Sequence, residues 1–274
     1  MTFDTSGLDR PLGYLADKIT AARTQFRIIG ALILREMATR FGRQGLGFLW
    51  LVGEPILFCS GVILLWSLTK PAYEHGIRLV PFVMTGYMCL ILIRHMIGLL
   101  TGAIDSNRGL LYHRQIKPTH ILISRIVLEM GGATLAFFLL YVVLAFFGQV
   151  DLPHDYLLLY AGWAVLACNA IGLGLILSGL AMRFEVFDRL IGLISYAMIP
   201  LSGVFFMVAW VPANLREVYL TLPLVHGVEM IRSAVFGEYV ETYYNVSYAL
   251  AWGCSMIIVG LLLIAYAHRY SDAE

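Results

Sequence analysis

The side chains best suited to covalent or metal chemistry are seven histidines, three lysines and four cysteines, and none of them stands in a spacing that uses it. Lys18, Lys70 and Lys117 all lack the preceding glycine of a phosphate-cradling P-loop, so ATP hydrolysis by that route is excluded. No histidine is followed by Glu, which removes the HExxH zinc helix, and no GxSxG nucleophile elbow occurs. Cys59, Cys89, Cys168 and Cys254 each lie within an apolar run, without the paired spacing of a zinc site or disulfide framework, and read as small buried hydrophobes. The informative ionisable groups interrupt apolar segments instead: Arg94 with His95, and Arg125 with Glu129. A lone Arg at the centre of a spanning helix costs about 2.5 to 3.5 kcal/mol on insertion scales, so each needs a partner or a purpose. Arg125 and Glu129, spaced i and i+4, share a helical face and read as an ion pair. Arg94 either snorkels, or pairs with Glu54 or Glu129, or meets an anionic substrate at a polar lining.

The elements that hold these groups belong to a membrane. The chain has 274 residues, 59% hydrophobic and 14% charged, against about 25% charged in soluble domains. Its mean hydropathy is +0.79 and its formal net charge +1, which gives no basic field for nucleic acid and no disordered tail. The first 25 residues mix charges with apolar positions and contain no signal-peptide core, so the N-terminus is expected to be retained.

Uncharged runs at 55–69, 79–93, 130–150, 156–182, 190–211 and 246–267 predict six spans, the first two completed by 48–54 and 94–104. Thirteen Lys and Arg fall on the side of the N-terminus and four on the other, so both termini are assigned to the cytoplasm. Residues 19–43 are basic and carry Phe26, Ile29, Ile33, Met37 and Phe41 on one helical stripe, predicting an interfacial helix, although Ile28 and Leu32 fall on another face. The 212–245 connection is too long for a turn. Within it Leu224, Val228, Ile231 and Val235 recur in a segment opened by Pro223 and closed near Gly237, a candidate re-entrant helix. The fold expected is therefore all-α and integral to the membrane. Its parts are an N-terminal region 1–47 with the interfacial helix, a transmembrane domain 48–268, and a tail 269–274.

Three further features bear on function. The loop 106–118 alternates apolar Leu110, Leu111 and Ile116 with basic groups, which suits a docking element for a cytoplasmic subunit better than a plain surface turn. Aromatics gather toward the outer side, as an interfacial belt does. Trp50, Phe58 and Trp66, eight residues apart, with Tyr196, Phe205, Phe206 and Trp210, would equally offer flat faces to a sugar chain. The GxxxG pair Gly98 and Gly102 reads as helix packing.

Three blocks of residues resemble the permease subunit of capsular polysaccharide ABC exporters, within the wider ABC-2 type transporter family. The first is Leu34-Arg35-Glu36-Met37-Ala38-Thr39-Arg40-Phe41-Gly42, continuing through Leu46-Gly47-Phe48-Leu49-Trp50 to Glu54-Pro55 and similar to the family's LRExxTRFG, LGYLW and EP. The second is Asn107-Arg108-Gly109-Leu110 with Lys117-Pro118, similar to NxGL and VKP; Arg108 stands where Gln is common. The third is Pro223-Leu224-Val225-His226-Gly227-Val228-Glu229 with Arg232, similar to PLVHxVE.

The resemblance implies a homodimeric permease in the bacterial inner membrane. Each copy would bind a separate nucleotide-binding subunit that carries the ATP and Mg, leaving this chain without a cofactor of its own. Asn107, Arg108, Gly109, Leu110, Tyr112 and Arg114, with Arg35, Glu36 and Arg40, would couple to that subunit. Trp50, Phe58, Trp66, Trp210 and Arg94 would line the path of a lipid-linked polysaccharide, and His226, Glu229 and Arg232 would stand on an outer-mouth helix. Periplasmic and outer-membrane export proteins are further expected partners, and nucleic acid is not. A permease for O-antigen, teichoic acid or another substrate is the nearest alternative. An intramembrane glycosyl- or acyltransferase is a different class, which the missing catalytic constellation disfavours.

Overall fold

A computed structural model describes residues 9–41, 47–112 and 115–271 of the chain. It is mostly helical. In chain order the elements are α1 (Asp9–Phe41), α2 (Gly47–Thr69), a two-stranded hairpin of β1 (Tyr73–Glu74) and β2 (Ile77–Arg78), α3 (Leu79–Leu100), α4 (Arg108–Leu111), α5 (Pro118–Phe146), α6 (Tyr156–Arg183), α7 (Glu185–Leu201), α8 (Ala213–Tyr219), α9 (Pro223–Phe236) and α10 (Val246–Ser271). The antiparallel hairpin pairs Tyr73 with Arg78 and turns through His75 and Gly76, both at positive φ.

Among the described residues five helices, α2, α3, α5, α6 and α10, are long and apolar enough to cross a membrane. Sequence reading expected six. The expected fifth span, 190–211, is α7 of 17 residues, shorter than the roughly 20 residues a crossing usually takes. Pro200 stands near its end and Gly203 beyond it takes φ +78, so the chain leaves the helix before the hydrophobic run is over. The start of α5 is also earlier than expected, because Pro118 opens the helix at its first position, where a missing N–H costs nothing. The α9 boundaries match the reading, set by Pro223 and by Gly237 at φ +65.

The core is built on α3 and α6, which are 72% and 61% buried along their apolar windows, whereas α2 and α10 are only 22% buried. Those two therefore turn broad apolar flanks to lipid or to another chain. α6 packs most extensively on α10 and next on α9; α3 touches α2, α5, α6 and α7. The α6–α10 contact is close. A Cβ at Gly172 or Gly179 of α6 would lie 2.7 Å from the Cβ of Met256 or Leu263, and one at Gly260 of α10 would lie 2.5 Å from the Cβ of Leu175. Small residues allow this approach, and dispersion contact replaces the hydrophobic drive that lipid does not provide. Gly98 and Gly102 are not used this way: a Cβ on either would meet nothing within 4 Å. Gly102 instead turns the chain after α3 at φ +71.

α1 lies against α5 and α2. Its packed positions are Ile28, Leu32, Glu36 and Arg40, while Phe26 of the expected stripe is exposed and Ile29, Ile33 and Met37 are half-buried. Phe41 and Arg43 fall where no side chain is described. The contact face is thus the one marked by Ile28 and Leu32, and it carries charge because α5 presents charge to it.

Candidate functional site

At the end of the bundle that carries α1 and α4, two of the motif blocks meet. Arg35 Nη1 donates to Asn107 Oδ1 at 2.7 Å, and Asn107 Nδ2 donates in turn to the carbonyl of Ala103 at 2.9 Å. Arg108 is held to Asp105 at 2.8 Å. Between α1 and the loop after α4 opens a groove of about 640 Å³, lined by Ile28, Ala31, Leu32, Arg35, Leu110, Gln115 and Ile116. Gly109 has open space where a Cβ would stand, and Tyr112 is 89% exposed. Leu110 and Ile116 are half-buried, so the loop presents one fully exposed aromatic beside a partly lined apolar groove. Arg114 lies outside the described residues.

Glu36 and Arg40 point away from this surface, into the protein. The expected Arg125–Glu129 pair is replaced by cross-helix contacts. Arg125 Nε lies 3.0 Å from Glu36 Oε1, and Arg40 Nη1 donates to Glu129 Oε1 at 2.7 Å. The sequence Glu36…Arg40 thus faces Arg125…Glu129 in register, opposite charges matched at both positions. Glu129 also takes His95 Nδ1 at 3.3 Å.

A second cavity, of about 500 Å³, opens between α2, α3 and α7. Glu54, Pro55 and Phe58 line it from α2, Ile91, Arg94, His95 and Gly98 from α3, and Gly192, Ser195 and Tyr196 from α7. The Arg94 guanidinium carbon sits 5.2 Å from the centre of the Tyr196 ring, a cation–π contact, and makes no ion pair with Glu54. Glu54 is exposed on its helix. A carboxylate and a guanidinium open on the flank of apolar helices demand water, a ligand or a further chain. Only Phe58 of the expected Trp50, Phe58 and Trp66 stripe lines the cavity. Its ring centroid is 6.0 Å from that of Tyr87, which leads to Phe205 at 5.5 Å and from there to Trp66 at 5.9 Å. This row runs from the cavity toward the hairpin end. Trp210 instead packs on Phe82 and His75, and Trp50 is exposed on α2.

At the hairpin end, the α9 residues are not a free lining. Eleven of its fourteen residues are buried, more than the one expected stripe. Arg232, 0% exposed, donates to the carbonyls of Gly203, Val204 and Phe206 and stacks 4.5 Å from the Phe82 ring. Glu229 accepts from the N–H groups of Val208 and Tyr243, and His226 Nδ1 from that of Asn245. These three side chains bind the loops on either side of α9 to it. Beyond them Arg216 donates to the Tyr243 hydroxyl, which donates to Glu241. That last bond, ahead of other causes, holds the Tyr243 phenol above its ordinary pKa. The cysteines divide: Cys59 and Cys89 are buried as expected, Cys168 is half-buried and Cys254 is exposed. Among the described residues no group of His, Cys, Asp and Glu could hold a metal ion.

Residues 27–236, spanning α1 through α9, match the ABC-2 type transporter family. The chain belongs to that family. It is 38% identical to the capsule polysaccharide export inner-membrane protein CtrC of Neisseria meningitidis serogroup A, over 88% of this chain and 91% of the relative. It is 35% identical to the capsule polysaccharide export inner-membrane protein BexB of Haemophilus influenzae, with the same coverage. It is 27% identical to the polysialic acid transport protein KpsM of Escherichia coli, over 88% of this chain and 95% of that one. The match takes in the Arg35–Asn107 junction, the charge set between α1 and α5, and the α2–α3–α7 cavity alike.

Proposed function

We propose that this chain is the permease subunit of an ATP-driven exporter that moves a lipid-linked capsular polysaccharide out of the cytoplasm across the bacterial inner membrane. The relatives named for capsule export support the substrate class. The absence of a P-loop sequence supports a separate nucleotide-binding subunit as the site of ATP and Mg. That subunit docks at Arg35, Asn107, Arg108, Gly109, Leu110 and Tyr112. The observation that carries the reading is the α2–α3–α7 cavity, where Glu54 and Arg94 stand open on a flank that would otherwise face lipid. A second copy of the chain against α2 turns that flank inward and makes it half of a water-accessible path.

In this arrangement both termini are cytoplasmic and α1 lies along the inner surface. α7 makes a sixth, short crossing, and α9 enters from the outer side and returns. Periplasmic and outer-membrane export proteins receive the polymer. The test is reconstitution. The chain co-expressed with its ATPase should purify as a complex with two copies of each, and vesicles of that complex should move the lipid-linked polymer only with ATP. A chain that retains no ATPase, or a complex that moves O-antigen or teichoic acid and not capsular polymer, would overturn it.

A further inference from the structure

The charges between α1 and α5 form one connected set that reaches from the docking groove to the wall of the cavity. From Arg40 on α1 a chain of contacts runs to Glu129 on α5 at 2.7 Å and from Glu129 to His95 on α3 at 3.3 Å. His95 lines the cavity and adjoins Arg94 in sequence. The other arm starts at Glu36, which lies 2.7 Å from Arg40 and 3.0 Å from Arg125. Arg125 Nη1 donates to the carbonyl of Leu99 at the end of α3, and Nη2 to Ser106 Oγ in the loop that carries Asn107. Glu36, Arg125 and Glu129 are all buried.

Stability does not require this arrangement, since packed apolar residues in place of a buried ion set are often neutral or stabilising. Removing one member is different: it strands an uncompensated charge, so the set resists separation and shifts as a unit. Coupling between distant sites travels through connected networks of this kind.

We infer that Arg40, Glu129 and His95 are positioning residues that transmit movement of α1 and the 105–112 loop to the Arg94 wall of the cavity, with Glu36 and Arg125 holding that loop and the end of α3 to the same unit. This rests on the reading above that an ATPase docks at the loop and that the cavity belongs to the path. When the docked subunit shifts α1, Arg40 carries Glu129, and Glu129 carries His95 with the turn of α3 on which Arg94 stands.

The experiment uses the reconstituted complex of full-length chain and ATPase subunit. It compares wild type, Arg40→Gln, Glu129→Gln, His95→Gln and the double variant Arg40→Gln/Glu129→Gln, by assembly, ATP hydrolysis and polymer moved per ATP hydrolysed. Expected, per assembled complex, is continued hydrolysis with polymer per ATP down roughly ten-fold in each single variant. The double variant should be no worse than either single one, because both cut the same chain. A merely structural role would lower assembly, hydrolysis and transport together. If Glu129→Gln fails to accumulate, His95→Gln decides by the same ratio, since His95 is half-exposed at the end of the chain. Wild-type complex with an unchanged ratio in the variants overturns the relay alone. A wild-type chain that binds no ATPase overturns the docking reading and the relay with it.

Discussion

Arg35 and Asn107, 72 residues apart, meet through a 2.7 Å hydrogen bond that fixes the α4 loop to α1. A bond from a charged donor contributes about 1.5 to 3 kcal/mol. Arg35→Ala should therefore free the loop and weaken ATPase association at least ten-fold in a pull-down titration, with the membrane helices intact by circular dichroism. Unchanged association would show that the loop is held in place without α1.

Tyr112 makes a separate claim, because no described residue covers it and it is 89% exposed. Tyr112→Asp should abolish co-purification of the ATPase while leaving yield and thermal stability near wild type, and Leu110→Asp should abolish it with some loss of stability, since Leu110 is half-buried against the core. Wild-type binding by both variants would place the docking surface elsewhere.

The register of Glu36 and Arg40 against Arg125 and Glu129 shows how much of the site the sequence discloses. Both i, i+4 pairs are visible in the chain, and each invites a pairing within its own helix. The second pair is made across helices instead, since a cross-helix match depends on how α1 lies on α5, which spacing alone does not encode. α9 was legible because Pro223 and Gly237 mark its ends locally. The Trp50, Phe58 and Trp66 stripe was less so. A spanning helix is apolar toward lipid and protein alike, so periodicity loses the contrast by which it identifies a buried face in water. The end of the expected fifth span was hidden for a related reason: hydropathy continues past Pro200, but the helix stops at Leu201.

Arg232 should be the least replaceable side chain on α9. It serves three carbonyls and stands 3.9 Å from Glu229 with no exposure to solvent. Arg232→Ala takes the guanidinium donor from three carbonyls and the counter-ion from the buried Glu229 carboxylate, a loss of about 3 to 5 kcal/mol. Arg232→Lys should recover little of it, because an ammonium lacks the planar fork. Thermal unfolding in detergent measures both; a midpoint within a degree or two of wild type for Arg232→Ala would contradict the bracket role.

The glycines separate packing from lining. Gly179→Leu should lower yield and unfolding temperature, because its Cβ alone would fall 2.7 Å from that of Leu263. Gly98→Ala, with open space at its Cβ, should fold normally. Equal damage from the two would mean that the α6–α10 approach is not the close one.

Orientation is open to direct labelling. In a variant without native cysteines, Cys at Glu241, an exposed position at the hairpin end, should react with an impermeant maleimide added outside intact cells, and Cys at Tyr112 only after permeabilisation. The basis is the proposed topology of six crossings, which puts thirteen Lys and Arg on one side against four on the other, a margin that small shifts in span boundaries do not erase. The reverse pattern would invert the topology.

The aromatic residues expected along one lining should divide by what they touch. Phe58 is 50% exposed and borders the cavity beside Arg94, so Phe58→Ala should reduce polymer export with ATPase binding and yield retained. Phe58→Trp, which keeps a flat apolar face, should restore most of the export. Trp66 and Trp210 are packed among Tyr87, Phe205, Phe82 and His75, and truncating either to Ala removes ring contacts at a cost of up to about 3 to 5 kcal/mol. Those variants should fail first in stability, and any fall in export should track the loss of folded protein. Trp50, exposed on α2 away from the cavity, should affect neither measure in the separated chain and should weaken pairing of two copies if that flank is where they meet. Export by Phe58→Ala at the wild-type rate would remove the cavity from the path, because no other described aromatic borders both Arg94 and the row that climbs toward the hairpin end from α2.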